Sequence, residues 1–345
     1  MKYLFGRDLD REVAIVAEIG VNHEGDTNAA ARIIETSALA GVDAVKFQSY
    51  TPERFIAATD AERFGRVRTF ALDEAAHRWL ARVAADNGVA FFSAAITEDW
   101  VPLIAEIGEA IKIASGDLTF QPVIVAAART EKPIILSTGA GSSDEIDRAV
   151  EWFVTAMAED DLNERLALLH CVSAYPTPLE EANLHSIPYL KDRYGLTTGW
   201  SNHVVGPEAC IAAVALGAQI VEVHVTDHKY GRAFRDHEMS FEPAELADLV
   251  RAVRGVRTAL GEHAKQPGPS ELSIREAMRK GLVAARDLSA GTVLEPGDLI
   301  FARPATEFAS AEIDRVLGRT LQSAVALGSP ITRSAVGLQE NNHGV

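Results

Sequence analysis

The sequence predicts an α/β protein, a (β/α)8 TIM barrel over residues 13 to about 260 followed by a small β-rich domain, and three observations carry that prediction. Short β-branched apolar runs recur eight times. Near-continuous apolar strands imply burial on both faces, which is how parallel sheets read. Alanine-rich amphipathic stretches such as TNAAARIIETSALAG and DEAAHRWLARVAADNG separate the runs and end in glycine, as helix C-caps do. Eight such units over about 250 residues match the barrel in count and length. The rival is a doubly wound open sheet, but no G-x-G-x-x-G follows the first strand.

In order, the strands are VAIVAEIG (13–20), DAVKFQ (43–48), VAFFSAA (89–95), AIKIASG (110–116), PIILSTG (133–139), LALLHCVS (166–173), TTGWSNH (197–203) and IVEVHVT (220–226). After the helix EPAELADLVRAVRGVRTALG the character changes. HAKQPGPSELSIREAMR reads as a linker with a short helix. From Gly281 the pattern is strands and turns, GLVAARDLSAG and TVLEPGDLIFARP, then a short helix at SAEIDRVLG and a final strand pair. The domains are therefore a barrel over 1–262, a linker over 263–280, the β-rich domain over 281–338 and a frayed tail over 339–345.

With 345 residues, 47% hydrophobic and 24% charged, the chain is long enough for one large core plus a small second domain. A net charge of −16 repels nucleic acid, so no nucleic-acid partner is expected, and any anionic substrate must be held by a local cationic pocket. Two cysteines, Cys171 and Cys210, are too few for a disulfide framework. The start MKYLFGRDLDRE lacks an apolar signal core, and no stretch is long enough to span a membrane. The expectation is a cytoplasmic protein with no membrane partner.

Every candidate polar residue falls at the C-terminal end of a strand, where barrel active sites lie. Period-2 alternation decides which side chains share a face. Glu18 precedes a loop with Asn22 and His23, whose plain reading is loop solvation. Lys46 and Gln48 share a face; Lys112 precedes Ser115 and Gly116. Ser137, Thr138 and Gly139 are small enough to let backbone N–H groups approach a phosphate. Cys171, Ser173 and Tyr175 share a face, as do Gly199, Ser201 and His203, and Glu222, His224 and Thr226.

An unpaired buried ammonium costs several kcal/mol or gives up its proton. The plain alternative for Lys46 or Lys112 is an internal ion pair with Glu18 or Glu222. Two lysines with nearby hydroxyls suit a dianion such as a phosphate ester better, and a third option is a Schiff-base lysine. His203 and His224 end consecutive strands and as a pair suggest a divalent metal. Cys171 is either a third ligand or a small buried residue. No H-E-x-x-H is present, so a metalloprotease is not supported.

Taken in order, AEIGVNHEGD, DAVKFQSY, IKIASGD, PIILSTG, LLHCVSAYPTP, the Ser-Asn-His of WSNH, AAVALGAQIVEVH and GLVAARDLSAGTV resemble the N-acylneuraminate (sialic acid) synthase family over nearly the whole chain. Each motif alone is weak, but eight in the right order are specific. The C-terminal region resembles the antifreeze-like (SAF) domain of those synthases. The resemblance implies condensation of phosphoenolpyruvate with an N-acylated hexosamine aldehyde to a nine-carbon 2-keto acid of the nonulosonic type. It also implies a divalent cation, commonly Mn²⁺ with Mg²⁺ or Co²⁺ as alternatives. The implied assembly is a domain-swapped homodimer in which one subunit's SAF domain caps the other's barrel. By motif, Lys112, Ser115, Ser137 and Ser201 would bind the phosphoenolpyruvate phosphate and Lys46 its carboxylate region. Glu18 would hold the sugar or the reacting centre, with Gln48 in support. His203 and His224 would ligate the metal. Tyr175, Glu222 and Asp236 would contact the sugar, and Arg303 would reach its N-acyl end. The competing enzyme reading is a Schiff-base pyruvate aldolase, and the competing non-enzymatic one a sugar- or ice-binding module on the SAF region.

Five departures from the family pattern stand out. Ser-Thr-Pro-Phe is replaced by Ser93-Ala94-Ala95-Ile96, and Ser-Asp-His by Ser201-Asn202-His203. Val223 and Val225 flank His224 where a cation and an aromatic are usual. HKYGRAFRDHEMS replaces a Pro-Gly-Pro-Asp-like turn, and Pro304-Ala305-Thr306-Glu307 replaces Pro-Gly-x-Gly. Read together, they predict an unusual acceptor sugar with catalysis retained.

Overall fold

The computed structural model describes residues 1–157, 162–232, 234–305 and 307–339, which divide into two units, Met1–Gly261 and Glu262–Val345. Thr306 and most of the tail, 340–345, lie outside the described residues.

The first unit opens with a short antiparallel hairpin, β1 (Tyr3–Leu4) and β2 (Arg7–Asp8). Eight parallel strands follow: β3 (Ala14–Gly20), β4 (Ala44–Ser49), β5 (Ala90–Ala95), β6 (Ile111–Ile113), β7 (Ile134–Ser137), β8 (Leu166–Cys171), β9 (Thr197–Asn202) and β10 (Ile220–His224). They pair in sequence order, and β10 closes on β3 to complete the barrel. All eight apolar runs are strands of this barrel.

Alternation sorts each strand into two faces. Ile15, Ala17 and Ile19 on β3 and Val45 and Phe47 on β4 point outward and pack with helical residues such as Ile33, Ile34 and Leu80. Ala14, Val16, Ala44, Phe92, Leu169 and Ile220 point inward and fill the lower barrel. Two residues further along, the inward positions turn polar: Glu18, Lys46 and Glu222. The same parity that builds the core therefore delivers the site. Position 199 on β9 must be glycine, because a Cβ there would lie 2.4 Å from the Ile220 carbonyl oxygen and 2.6 Å from Leu169 Cδ2.

The helices are closed by local chemistry. Asp26 and Asp73 accept backbone N–H bonds at the starts of Thr27–Ala40 and Glu74–Asp86, and Ser142 with Glu145 forms a capping box on Ser143–Ala156.

The N-terminal hairpin is a plug, which its charged sequence does not announce. Met1, Leu4 and Leu9 join the lower interior cluster, and the Phe5 ring lies 4.9 Å from Phe92. Gln219 Nε2 donates to the Leu9 carbonyl at 2.9 Å and Thr197 Oγ1 to the Met1 carbonyl at 2.9 Å. Burying a side chain such as Leu9 is worth about 1.5–3 kcal/mol. Among the described residues no helix is long and apolar enough to cross a membrane.

The second unit begins with one-turn helices at Pro269–Leu272 and Arg275–Met278, inside the stretch read as a linker. Strands β11 (Gly281–Ala284) and β12 (Leu299–Ala302) pair antiparallel around a core that includes Leu282, Leu294, Phe308, Val316 and Ile331. The expected short helix is a 3-10 turn at Ser310–Arg315. The expected final strand pair is absent from the described residues. Isolated antiparallel bridges, Val283 to Pro330, Leu288 to Val325 and Val293 to Thr320, take its place. Pro330 lacks an N–H, and Gly318 and Gly328 turn the chain at positive φ, so no ladder extends.

Candidate active site

A cavity of about 1090 Å³ lies over the C-terminal ends of the barrel strands. Glu18, Lys46, Gln48, Lys112, Ser115 and Ser137 line it from β3 to β7, and Tyr175, Ser201, His203, Glu222, His224 and Asp236 from β8 to the loop after β10. Strand register explains the grouping: Glu18 lies beside both Lys46 and His224, and Ser201 beside both Cys171 and Glu222.

At its centre is a buried ionic network. Lys46 Nζ lies 2.7 Å from Glu222 Oε1 and 3.1 Å from Glu18 Oε2. The internal ion pair raised as the plain alternative for Lys46 is thus formed, with both carboxylates at once and at the cavity wall. Burial pushes the Lys46 ammonium down, but the charges of Glu18 and Glu222 outweigh it and hold its pKa above the ordinary value. Glu222 also accepts from Ser201 Oγ at 3.0 Å. Burial raises its pKa, yet Lys112 and Lys46 more than offset this and keep it well below the usual carboxylate range. Glu18 receives only Gln48 Nε2 at 3.3 Å as a hydrogen bond. Burial, only partly countered by Lys46 and reinforced by the Glu222 charge, pushes it up to about 7. The two carboxyls therefore diverge: one is locked as an anion, the other can exchange a proton near neutrality.

Lys112 Nζ donates to Ser137 Oγ at 2.5 Å and stands 3.9 Å from Glu222 Oε1. Burial lowers its pKa to about 8 despite the Glu222 charge. Beside it, Ser115 Oγ accepts from the Gly139 N–H at 3.0 Å. A Cβ on Gly139 would lie 2.4 Å from Ser173 Oγ and 2.7 Å from Ser115 Oγ. Gly139→Ala is accordingly expected to cost about 1–3 kcal/mol through overpacking. Urea unfolding measures this, and an unshifted midpoint would mean that the two hydroxyls simply move aside.

His203 and His224 face each other with ring centroids 5.2 Å apart. Burial lowers the His203 pKa to about 4, and burial with the neighbouring His203 takes His224 well below the ordinary value, so both rings are neutral. His203 Nδ1 is 2.6 Å from the Val172 carbonyl. A carbonyl only accepts, so Nδ1 holds the proton and Nε2 keeps its lone pair. Buried His224 Nδ1 and Asp236 Oδ1 have no hydrogen-bond partner, and Asp236 Oδ2 is 4.0 Å from His224 Nδ1. Two neutral imidazoles near the Asp236 carboxylate, which Arg235 Nε approaches to 3.4 Å, suit a divalent ion of intermediate softness. Among the described residues no group of three or more His, Cys, Asp or Glu side chains is placed to hold a metal. Cys171 is buried, with its sulfur 3.7 Å from the protonated Nδ1 of His203.

Several expectations need correction. Ser173 does not line the cavity; it backs the Gly139 turn. Thr226 turns away to His237 Nδ1 at 2.7 Å. Asn22 and His23 are buried and not solvated: Asn22 Nδ2 donates to the Val225 carbonyl and Ser240 Oγ, and His23 Nδ1 accepts from the Gly25 N–H. Asn202 accepts from Trp200 Nε1 and the Val204 N–H, and Val223 sits in the outer core. Those two departures lie behind the strands, so they do not reshape an acceptor pocket, whereas Ala94 and the loop before Asp236 do face the cavity. Arg303 belongs to the second unit, where it follows β12 and is exposed.

The cavity also holds residues that strand-end reasoning passes over. Tyr50, Arg63, Arg66 and Phe70 come from the segment after β4, and Phe234 and Arg235 from the loop after β10. The helix Ala61–Phe70 places 63, 66, 67 and 70 on one face, an i, i+3, i+4, i+7 spacing that was there to be read. Asp117, pushed up to about 7 by burial against the opposing Lys112 charge, is another.

Comparison with known proteins agrees with this picture. Residues 279–336 match the SAF domain model. The chain is 35% identical over 323 residues to the N,N'-diacetyllegionaminic acid synthase of Campylobacter jejuni subsp. jejuni serotype O:2, covering 90% of this chain and 96% of that one. It is 34% identical over 297 residues to the N-acetylneuraminate-9-phosphate synthase of Homo sapiens, covering 81% and 80%. In structure it is similar to the N-acetylneuraminic acid (sialic acid) synthetase of Leptospira borgpetersenii serovar Hardjo-bovis, crystallised with citrate, with a TM-score of 0.72, 35% identity and coverage of 77% and 90%. The NeuB family model matches residues 33–265, which hold every cavity residue from Lys46 to Asp236, and the chain belongs to the NeuB family.

Proposed function

We propose that this barrel condenses phosphoenolpyruvate with an N-acylated hexosamine aldehyde, N-acetylmannosamine or a related 2,4-diacetamido sugar. The product is a nine-carbon 2-keto acid of the sialic, legionaminic or pseudaminic type, released with inorganic phosphate. The observation that carries the reading is one cavity in which two buried lysines and three serine hydroxyls adjoin a pair of neutral histidines. Names of relatives that make such acids support the same class.

In bond terms, C3 of phosphoenolpyruvate joins the aldehyde carbon and the aldehyde oxygen becomes a hydroxyl. Water adds at C2, and phosphate leaves with cleavage of the C2–O bond. Lys112, Ser115 and Ser137 would hold the phosphate, and Lys46, oriented by Glu18 and Glu222, the carboxylate. Glu222 stays ionised and positions Lys46 and Ser201. Glu18 would take the proton of the attacking water and pass it to the new hydroxyl. His203 and His224 would hold a divalent cation, Mn²⁺ before Mg²⁺ or Co²⁺, which when bound supplies Lewis-acid polarisation of the aldehyde. In a homodimer, the second unit of the partner copy would cap the cavity and bring Arg303 to the N-acyl end.

Incubation with phosphoenolpyruvate, Mn²⁺ and each candidate sugar should release phosphate only when an acceptor is present. No release with any of them argues against the reading. In the competing Schiff-base aldolase Lys112 is the favoured candidate, because the Lys46 ammonium is held by two carboxylates; borohydride trapping with pyruvate would label a lysine in that case and label nothing in this one. Arg303→Ala should raise the acceptor KM by about tenfold, as loss of a charge-assisted bond does, with the phosphoenolpyruvate KM unmoved. A KM change in phosphoenolpyruvate alone would remove Arg303 from the acceptor.

The pKa directions set a pH profile. Glu18 must be deprotonated and titrates near 7, while Lys112 must be protonated and titrates near 8. kcat/KM should therefore climb through pH 7 and fall beyond pH 8, as apparent values of a coupled set. In Glu18→Gln the acid limb should vanish along with most of the rate; a limb that persists in the residual activity would assign it elsewhere.

A further inference from the structure

The proposed condensation needs one proton that Glu18, Glu222 and the two lysines do not supply. Once water has added at C2, that carbon carries a hydroxyl and a phosphate ester dianion. The phosphate cannot depart as a bare trianion, so its C2-linked oxygen must gain a proton as the bond breaks. Glu222 is locked as an anion, and Glu18 is engaged with the attacking water. The Lys112 ammonium already donates to Ser137 Oγ at 2.5 Å and to the Ile113 carbonyl at 3.3 Å.

Asp117 stands where that proton is needed. It closes the 3-10 turn Ser115–Asp117 after β6 and lines the cavity together with Lys112, Ser115 and Ser137. Its backbone is held: the Asp117 N–H donates to the Ala114 carbonyl at 2.9 Å and the Leu118 N–H to the Ser115 carbonyl at 3.2 Å. Its carboxyl is not. Among the described residues that side chain makes no hydrogen bond and no ion pair, and Lys112 is the one charge acting on it. A free carboxylate beside the phosphate pole would repel the dianion, whereas a carboxylic acid there would donate to it. Burial favours the acid and pushes the pKa up to about 7 against the pull of Lys112. A group poised near neutrality suits proton transfer at that pH.

We propose that Asp117 is the general acid for phosphate departure, giving its proton to the leaving oxygen as the C2–O bond breaks. This rests on the proposed condensation and assigns one step within it. The electron pair of the C2–O bond goes to the phosphate oxygen, which leaves as the hydrogenphosphate dianion carrying the Asp117 proton. A lone pair of the C2 hydroxyl forms the keto group, and the hydroxyl proton passes to Glu18, unprotonated again by then. Exchange with solvent resets both carboxyls.

Rapid-quench kinetics on the full-length protein, with Mn²⁺, phosphoenolpyruvate and N-acetylmannosamine or a 2,4-diacetamido sugar, test the step. In Asp117→Asn, kcat should fall by about 10²–10⁴-fold, the usual worth of a positioned acid. The acid acts after the C–C bond has formed, so kcat/KM for phosphoenolpyruvate should stay close to the parent value. The first turnover should then consume phosphoenolpyruvate well ahead of phosphate release. Asp117→Glu should restore part of kcat. The amide replaces a carboxyl already drawn towards its neutral form, so the urea midpoint should hold; if it drops, the lag between consumption and release still reads the step. Equal losses in kcat and kcat/KM, with consumption and release in step, overturn the assignment and leave Asp117 a structural role. An Asp117→Asn protein as fast as the parent overturns it too and gives the proton to Lys112. A parent protein that releases no phosphate with any candidate sugar overturns the condensation itself.

Discussion

Replacing Glu222 with Gln is expected to lower barrel stability by about 3–5 kcal/mol, the usual cost of stranding a buried charge. The geometry makes this the most exposed point of the network. Glu222 Oε1 is the carboxylate oxygen 2.7 Å from Lys46 and 3.9 Å from Lys112, and it also accepts from Ser201. Without its charge, two ammonium groups, each at most 5% exposed, share one remaining carboxyl, Glu18, which is itself drawn towards protonation. For a barrel of this size the loss corresponds to a melting temperature lower by roughly 6–20 °C. Lys46→Met in the Glu222→Gln background should recover part of it by removing one stranded cation. A Glu222→Gln protein within about 1 kcal/mol of the parent would mean that water or relaxation already screens the network.

Lys112→Met should behave in the opposite way. Its ammonium is buried, donates to Ser137 Oγ at 2.5 Å and to the Ile113 carbonyl at 3.3 Å, and has Glu222 as an ion-pair partner only at 3.9 Å. An apolar replacement of similar length relieves that desolvation, so stability should hold or rise. If Lys112 holds the departing phosphate, kcat/KM should fall by about 10²–10³-fold, the loss typical of removing one preorganised electrostatic group. Separate unfolding and kinetic measurements on one variant read the two effects. A variant that is stable and still active would remove Lys112 from the chemistry, and one that unfolds would give it a structural role.

The barrel was legible because parallel strands bury both faces and so appear as apolar runs whatever surrounds them. Parity did the rest for the site: Lys46 and Gln48, Ser201 and His203, and Glu222 and His224 line one cavity as alternation requires. Parity does not bind backbone beyond a strand's last paired residue: His203, one residue past β9, keeps it, whereas Thr226 and Ser173 turn elsewhere. It also marks Asn202 and Val223 as outward-facing, so two family departures needed only the same argument to be set aside. Arg63 and Arg66 lie outside that argument because they sit on a helix after β4, where a different period applies. The N-terminal hairpin was not legible at all. Met1, Leu4 and Leu9 gain their meaning from the barrel interior they enter, and no local pattern contains that partner.

That hairpin has a kinetic consequence. With Phe92, Leu169 and Ile220 filling the lower interior and Met1, Leu4 and Leu9 added to the same cluster, the cavity is a well with a floor, and traffic in both directions uses the same mouth. Two reactants that occupy different depths cannot then arrive in either order. The one bound against the Lys46 and Lys112 floor has to precede the one held nearer the rim, and the rim ligand in excess blocks the next turnover. For the condensation proposed above, a steady-state pattern of compulsory order, with inhibition by the outer substrate at high concentration, is the expected signature of such a well.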